Sequence, residues 1–322
     1  MMASRRSLLV AVVAVVAITG VLAPGSAAGA VTPVGKGCGR AATSGITTQH
    51  LTVDGSDRQY LLSIPASYDA SKPAPLLFNF HGLGSNMQQQ ALYSGLNQRA
   101  GDQGYVVITP NGTGTVLRRW SFPPLPGSTA DVDFVKAMLA TTQRNLCIDT
   151  RRIFSTGISN GAIFSTLLAC TLRGRLAAIA PVSGVNATHA CINGTPPIAV
   201  LAFHGTGDPI VPYNGGAYFS GVNARRIGRV QARPVDAAVS EWAKFDGCAT
   251  PPQTTAVASD VEHVVYPDCP PSGAVELYRV IGGGHTWPGS FSFNPARLGP
   301  TTTSIDASAL MLDFFTAHPR TG

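Results

Sequence analysis

Ser159 stands at the centre of Gly157-Ile158-Ser159-Asn160-Gly161, and residues further along the chain supply what such a serine needs in order to react. A serine hydroxyl is a weak nucleophile at neutral pH and requires a base within hydrogen-bond reach. His285, in Gly282-Gly283-Gly284-His285-Thr286-Trp287, is the candidate base, approached by a flexible backbone and able to exchange a proton near neutrality. Asp208, closing His204-Gly205-Thr206-Gly207-Asp208, is the candidate acid that would fix the imidazole tautomer. Asp260 and Asp268 compete for that role, but they sit among weak strands and near Cys269. His204 reads as structural, and His50, His189, His263 and His318 read as surface or packing residues. Upstream, the glycines of His81-Gly82-Leu83-Gly84 allow backbone N–H groups to turn toward a developing oxyanion. The expected donors are the N–H groups of Leu83 and Asn160, with His81 and Gly82 bracing the loop. Trp120 and Phe122 lie in a long Gly- and Pro-rich loop and are read as a wall of the substrate pocket or as packing residues. Trp287 is read as a second substrate-binding aromatic.

These residues need elements to position them. An apolar, β-prone run, Ile153 to Ile158, leads into the serine, and a helix-like segment from Ala162 to Cys170 leaves it. That order is a sharp strand-to-helix turn, in which flanking glycines relieve backbone crowding. The apolar runs Leu76–Phe80, Ile198–Phe203 and Val275–Ile281 precede His81, Asp208 and His285 in the same way. In open sheets of this kind, reactive groups gather at the carboxyl ends of the strands. Helices are expected over Met87–Ala100, Asp131–Leu146, Val235–Phe245 and Ala307–Ala317, and a hairpin across Asp54-Gly55. Strands alternating with helices predict an α/β fold with a mostly parallel central sheet covered on both faces.

Composition narrows the function. Arg5 and Arg6, the apolar run Leu8–Leu22 and the small residues Ala28-Gly29-Ala30 predict a removable signal peptide over residues 1–30. Ser4-Arg5-Arg6 also loosely matches a twin-arginine signal. Residues 31–322 then form one expected catalytic domain, with no second long apolar run, so no membrane association is expected after export. The net charge of +6 falls to +4 without the two signal arginines, and the remaining basic residues never cluster, which argues against nucleic acid. Six cysteines, at 38, 147, 170, 191, 248 and 269, predict disulfides in an exported chain and lack metal-site spacing. Fifteen pairings are open, about which sequence alone is silent. Proximity favours Cys170–Cys191 and Cys248–Cys269, leaving Cys38–Cys147. No metal and no cofactor are expected, and a monomer is.

Taken together, His81-Gly82-Leu83-Gly84, Gly157-Ile158-Ser159-Asn160-Gly161, Ala180-Pro181-Val182-Ser183-Gly184, His204–Asp208 with Val211-Pro212-Tyr213, and Gly282–Gly289 resemble the secreted feruloyl esterases and polyhydroxybutyrate depolymerases. Gly37-Cys38-Gly39, Leu146-Cys147-Ile148-Asp149 and Leu168-Ala169-Cys170 are similar to cysteine positions of the feruloyl branch. Thr129-Ala130-Asp131-Val132-Asp133 departs from the pattern, since relatives place two acidic residues side by side there. The resemblance implies an α/β-hydrolase fold and a serine carboxylesterase acting on aryl esters of plant cell-wall polysaccharide. The alternative it implies is a depolymerase of polyhydroxybutyrate or its oligomers. Relatives that attack solid polymer usually carry a linker and a separate binding domain, whereas this sequence stops soon after its expected closing helix, which favours the first reading. A non-catalytic binding module on the same scaffold is a third reading, opposed by the intact Ser, Asp and His.

Overall fold

The computed structural model describes residues 34–115, 117–121, 129–191, 194–218 and 230–321; the expected signal segment and Phe122 lie outside them. The chain enters through β1 (Gly45–Val53) and β2 (Ser56–Ile64), an antiparallel pair in full register. Asp54 and Gly55, at φ 48° and 75°, make the tight turn between them that their types predict. Next come β3 (Ala74–Phe80), α1 (Met87–Ser94), α2 (Leu96–Asp102), β4 (Val106–Pro110), α3 (Ala130–Asn145), β5 (Ile148–Ile158), α4 (Asn160–Thr171) and β6 (Ala178–Val182). The second half runs β7 (Ala199–Gly205), β8 (Asn214–Tyr218), β9 (Val230–Pro234), α5 (Val235–Asp246), β10 (Gln253–Ala258), β11 (Val261–Tyr266), β12 (Val275–Val280), α6 (Pro295–Leu298) and α7 (Ala307–Ala317).

Ten strands form one sheet in the order β1-β2-β4-β3-β5-β6-β7-β12-β11-β10. The six from β4 to β12 are parallel, and antiparallel pairs extend both edges. Strand side chains alternate in direction, so each central strand feeds two cores. Leu76, Phe78 and Phe80 of β3 join the core with Phe134 and Met138 of α3, Phe164 of α4 and Trp242 of α5. Leu77 points the other way, into a core with Leu96 of α2 and Met311 and Phe315 of α7. Both faces of the central strands are buried, which is why these segments read as continuous apolar runs.

Two local expectations change. The single helix expected over Met87–Ala100 is broken at Gly95, whose φ of 65° ends α1 while its N–H bonds to Ala91 O at 3.1 Å. A left-handed residue cannot continue the helix, so α2 starts afresh in a new direction. The pair β8–β9 forms a separate two-stranded sheet that its Gly-rich sequence does not announce. All six cysteines are paired, as Cys38–Cys147, Cys170–Cys191 and Cys248–Cys269. The first bridge fastens the entering chain to the start of β5. Gly35 N–H bonds to Ile148 O at 2.9 Å beside it, and a Cβ on Gly37 would stand 2.3 Å from Leu146 N.

Candidate active site

Ser159 sits at the turn between β5 and α4 with φ 58° and ψ −123°. A non-glycine residue there carries strain of about 1–3 kcal/mol, which the surroundings must hold in place. They do so on every side. Ser159 N–H bonds to Val182 O at 2.9 Å, and its carbonyl accepts Ile163 N–H at 2.9 Å. A Cβ on Gly157 would lie 2.6 Å from Phe80 O, and one on Gly161 2.3 Å from the same oxygen. The two glycines of the motif therefore let the turn press against the end of β3. Gly184 allows the same approach from β6, where a Cβ would meet Ser159 O at 2.8 Å. The serine is left at the N-terminal end of α4, where the helix dipole favours negative charge.

Asp208 and His285 leave the carboxyl ends of β7 and β12, which are parallel neighbours. Their loops are laced together. Gly207 N–H bonds to Gly283 O at 2.9 Å, and Gly282 N–H to Thr206 Oγ1 at 2.7 Å. Glycine at 205 permits this contact, since a Cβ there would stand 2.1 Å from Gly283 O, while Gly284 permits a close approach on its other side, where a Cβ would lie 2.0 Å from Leu298 O. The result is a buried hydrogen bond of 2.8 Å between His285 Nδ1 and Asp208 Oδ2. The other carboxylate oxygen accepts the N–H groups of Ile210 and Val211, each at 2.8 Å. Burial works to raise the Asp208 carboxyl, but the charge and hydrogen bond of His285, with His204 and the Val211 N–H, outweigh it and hold it below the usual carboxylate range. Asp268 is exposed with φ 52°, and Asp260 bonds to Thr302 and Ser304, so neither rival meets His285.

His204 is closer to this chemistry than its sequence suggests. Its Nε2 lies 3.4 Å from Asp208 Oδ2 and 2.9 Å from Val211 O, and both residues are buried. Burial lowers the pKa of its ring, against the pull of Asp208 and of the hydrogen bond to Val211 O. The only sequence signal for this was the i, i+4 spacing to Asp208.

The loop after β3 lies against the serine: a Cβ on Gly82 would be 3.5 Å from Ser159 Cβ. The N–H groups of Leu83 and Asn160 have no hydrogen-bond acceptor among the described residues. Unclaimed backbone donors near a serine are what an oxyanion requires. His81 makes two hydrogen bonds here. Nδ1–H donates to Gly82 O at 2.7 Å, and Nε2 accepts Gly112 N–H at 2.9 Å, which requires a neutral ring. Burial pushes its pKa down to about 4, with Arg118 and Arg58 acting in the same direction.

The two tryptophans are corrected. Trp120 is fully buried, stacked on Phe164 at 5.1 Å and edge-on to Phe80 at 5.0 Å. Its indole N–H donates to His81 O at 2.9 Å, so it supports the loop after β3 and presents no surface to a substrate. Trp287 is also buried, its Nε1–H donating to Ser308 Oγ at 3.0 Å, and it packs in the core over α7. The sequence leaves Trp120 open between pocket wall and packing residue and reads Trp287 as substrate-binding; in both places the large aromatic ring completes the core. One contributor went unnoticed in the sequence. Arg58 of β2 pairs with buried Asp131 at 2.7 Å, and Asp131 accepts Ser121 N–H at 2.8 Å, tethering the segment that carries Trp120.

A family model described as Phospholipase/Carboxylesterase matches residues 129–245, which include Ser159 and Asp208. The probable feruloyl esterase C of Aspergillus flavus is 32% identical over 223 residues, covering 65% of this chain and 79% of that protein. Feruloyl esterase C of Emericella nidulans is 36% identical over 200 residues, covering 58% of this chain and 68% of its own length. Against feruloyl esterase B of Piromyces equi the identity is 29% over 239 residues, which span 71% of this chain but 42% of that protein. Among solved structures, the acetyl xylan esterase of Aspergillus awamori aligns with a TM-score of 0.56 at 15% identity, covering 74% of this chain and 94% of the other. A thermostable esterase aligns at 0.54, with 16% identity over 85% and 63% of the two chains. The fold is thus that of an α/β-hydrolase, and the chain belongs to the esterase family that contains these feruloyl esterases.

Proposed function

We propose that this protein is a secreted serine carboxylesterase that cleaves feruloyl or similar aryl esters of plant cell-wall polysaccharide through an acyl-enzyme. The observation that carries the catalytic part is the His285–Asp208 hydrogen bond, made at the same sheet end as the strained turn at Ser159. With Nδ1–H committed to Asp208, His285 Nε2 is the free base that takes the Ser159 proton as Oγ attacks the ester carbonyl. The N–H groups of Leu83 and Asn160 receive the oxyanion. Collapse of the tetrahedral intermediate breaks the C–O bond, and the imidazolium gives its proton to the departing sugar oxygen, which leaves as a hydroxyl. Water repeats the sequence to release the acid. The names of the relatives support the feruloyl substrate, and three disulfides support an oxidising compartment.

The test pairs a label with a substrate panel. A fluorophosphonate should modify wild type at Ser159 and leave Ser159→Ala untouched, while both proteins melt at the same temperature. Methyl ferulate should be turned over in preference to p-nitrophenyl butyrate and to a hydroxybutyrate oligomer. Labelling elsewhere rejects the nucleophile, and a preference for the oligomer transfers the protein to the polyester reading.

A further inference from the structure

Beyond the loop that carries His285, the surface holds a cluster of exposed rings. Phe291 and Phe293 are 47% and 58% exposed, next to Leu92 at 73%. Tyr93 meets them edge-on, at 5.3 Å from Phe291 and 6.1 Å from Phe293, and the two phenylalanines lie 5.9 Å apart. In a protein whose other large apolar side chains are mostly buried, a contiguous exposed aromatic patch marks a binding surface. It is anchored. Tyr93 Oη accepts the Trp287 N–H at 3.0 Å, and Ser290 Oγ donates to Tyr93 O at 2.6 Å. Beneath, Ser308 Oγ donates to Ser94 O at 2.6 Å, so the rings are fixed to the end of α1 and the start of α7.

A cavity of 180 Å³ opens beside these rings, and its lining includes Tyr93 and Phe291 together with Arg99, Asp306 and Ser290. Arg99 and Asp306 pair at 2.5 Å, so the polar wall carries no net charge, yet both remain partly exposed. That combination selects among ligands. An anion would face Asp306 as well as Arg99, and a purely apolar polymer would leave the charged pair desolvated and unanswered. A neutral polyol ring answers both kinds of lining, its electropositive C–H groups against the aromatic rings and its hydroxyls against the guanidinium and carboxylate.

We propose that Tyr93, Phe291 and Phe293, with Arg99 and Asp306, form an accessory subsite for one neutral sugar residue of a polysaccharide chain. It rests on the reading that the ester substrate is polysaccharide-linked. Phe291 follows His285 by six residues, at most about 22 Å of extended chain, so one oligosaccharide reaches both sites. The subsite contributes to substrate binding and leaves the chemistry at Ser159 alone.

The experiment uses the full protein, wild type and Phe291→Ala/Phe293→Ala, with Arg99→Met as a second variant in the polar wall. Binding of unsubstituted xylohexaose is measured first by NMR titration, and it requires no catalysis. Wild type should bind and both variants should lose about tenfold or more in affinity. In kinetics, kcat/KM on methyl ferulate should be unchanged in the variants, and kcat/KM on a feruloylated xylo-oligosaccharide should fall about tenfold through KM. Equal loss on both substrates would place the rings in the acyl site, and no loss of xylohexaose binding would remove the subsite. Adsorption to a polyhydroxybutyrate film that the variants lose, without any xylohexaose binding, would also overturn it. A wild type that binds xylohexaose and leaves methyl ferulate intact would reject the proposed activity and keep the subsite.

Discussion

Asn160 holds the main chain of Trp120 from both sides: its Oδ1 accepts the Trp120 N–H at 2.7 Å and its Nδ2 donates to the Trp120 carbonyl at 3.0 Å. Trp120 in turn donates its indole N–H to His81 O, and His81 donates to Gly82 O. The residue that follows the serine is therefore tied, through three hydrogen-bonded partners, to the loop carrying the Leu83 N–H. Both proposed oxyanion donors belong to one buried network, and a satisfied network of this kind holds position well.

Asn160→Ala should accordingly lower kcat by on the order of 10- to 100-fold with KM little changed, less than the 10²–10³ lost when an oxyanion donor is removed outright. Trp120→Phe keeps the packing and loses one donor, so a smaller fall is expected. Because Trp120 touches no substrate, its replacement should leave the ratio of activities on methyl ferulate and p-nitrophenyl butyrate unchanged. A shift in that ratio would restore Trp120 to the pocket wall.

Asp208→Asn should reduce turnover by about four orders of magnitude, because an amide facing Nδ1 favours the wrong imidazole tautomer. Asp260→Asn and Asp268→Asn should remain near wild type. Turnover at saturating substrate for all three, with circular dichroism as the control, decides between them. Collapse of either rival beside an active Asp208→Asn would reassign the acid.

The pH dependence of stability should carry the mark of Asp246. This carboxyl is buried at the end of α5, with Oδ1 accepting Ile198 N–H at 2.9 Å and Oδ2 without a partner among the described residues, and burial raises its pKa from 3.8 to about 8. The folded protein then keeps a proton that the unfolded chain has released, so the contribution is complete below pH about 4 and is lost as pH climbs toward 8. Asp246→Asn retains the acceptor for Ile198 and carries no charge. It should raise Tm by several degrees at pH 8, worth on the order of a few kcal/mol, and hardly at all at pH 4. Equal Tm gains at both pH values would show that the carboxyl is not buried in its neutral form.

Loss of the Cys38–Cys147 bridge should be the most costly of the three. It closes a separation of 109 residues against 21 for each of the others. Loop-closure entropy makes that difference about 1.5 kcal/mol at 25 °C. Paired serine substitutions, compared by denaturant unfolding, measure the ranking; peptide mapping without reduction checks the pairing itself.

Much of the site was legible in the chain because its requirements are local. The turn at Ser159 needs glycines at 157 and 161 to clear Phe80 O, and glycines are visible in a sequence even when Phe80 is not known to be near. Continuous apolar runs announced the central strands because those strands are buried on both faces. Helix α7 was readable to its ends, with Asp306 capping its first turn through Ala309 N–H at 3.1 Å. Only the tertiary structure decided what depends on distant segments meeting. Trp120 and Trp287 have the composition of pocket aromatics, and burial against Phe164 and Ser308 made them supports. Arg58 and Asp131 are 73 residues apart, so no local pattern could pair them. The alignment of β7 beside β12 sets Asp208 against His285, while the i, i+4 step sets His204 against the same carboxylate. Spacing along a chain fixes which groups share a turn, and packing across the sheet fixes which of them share a proton.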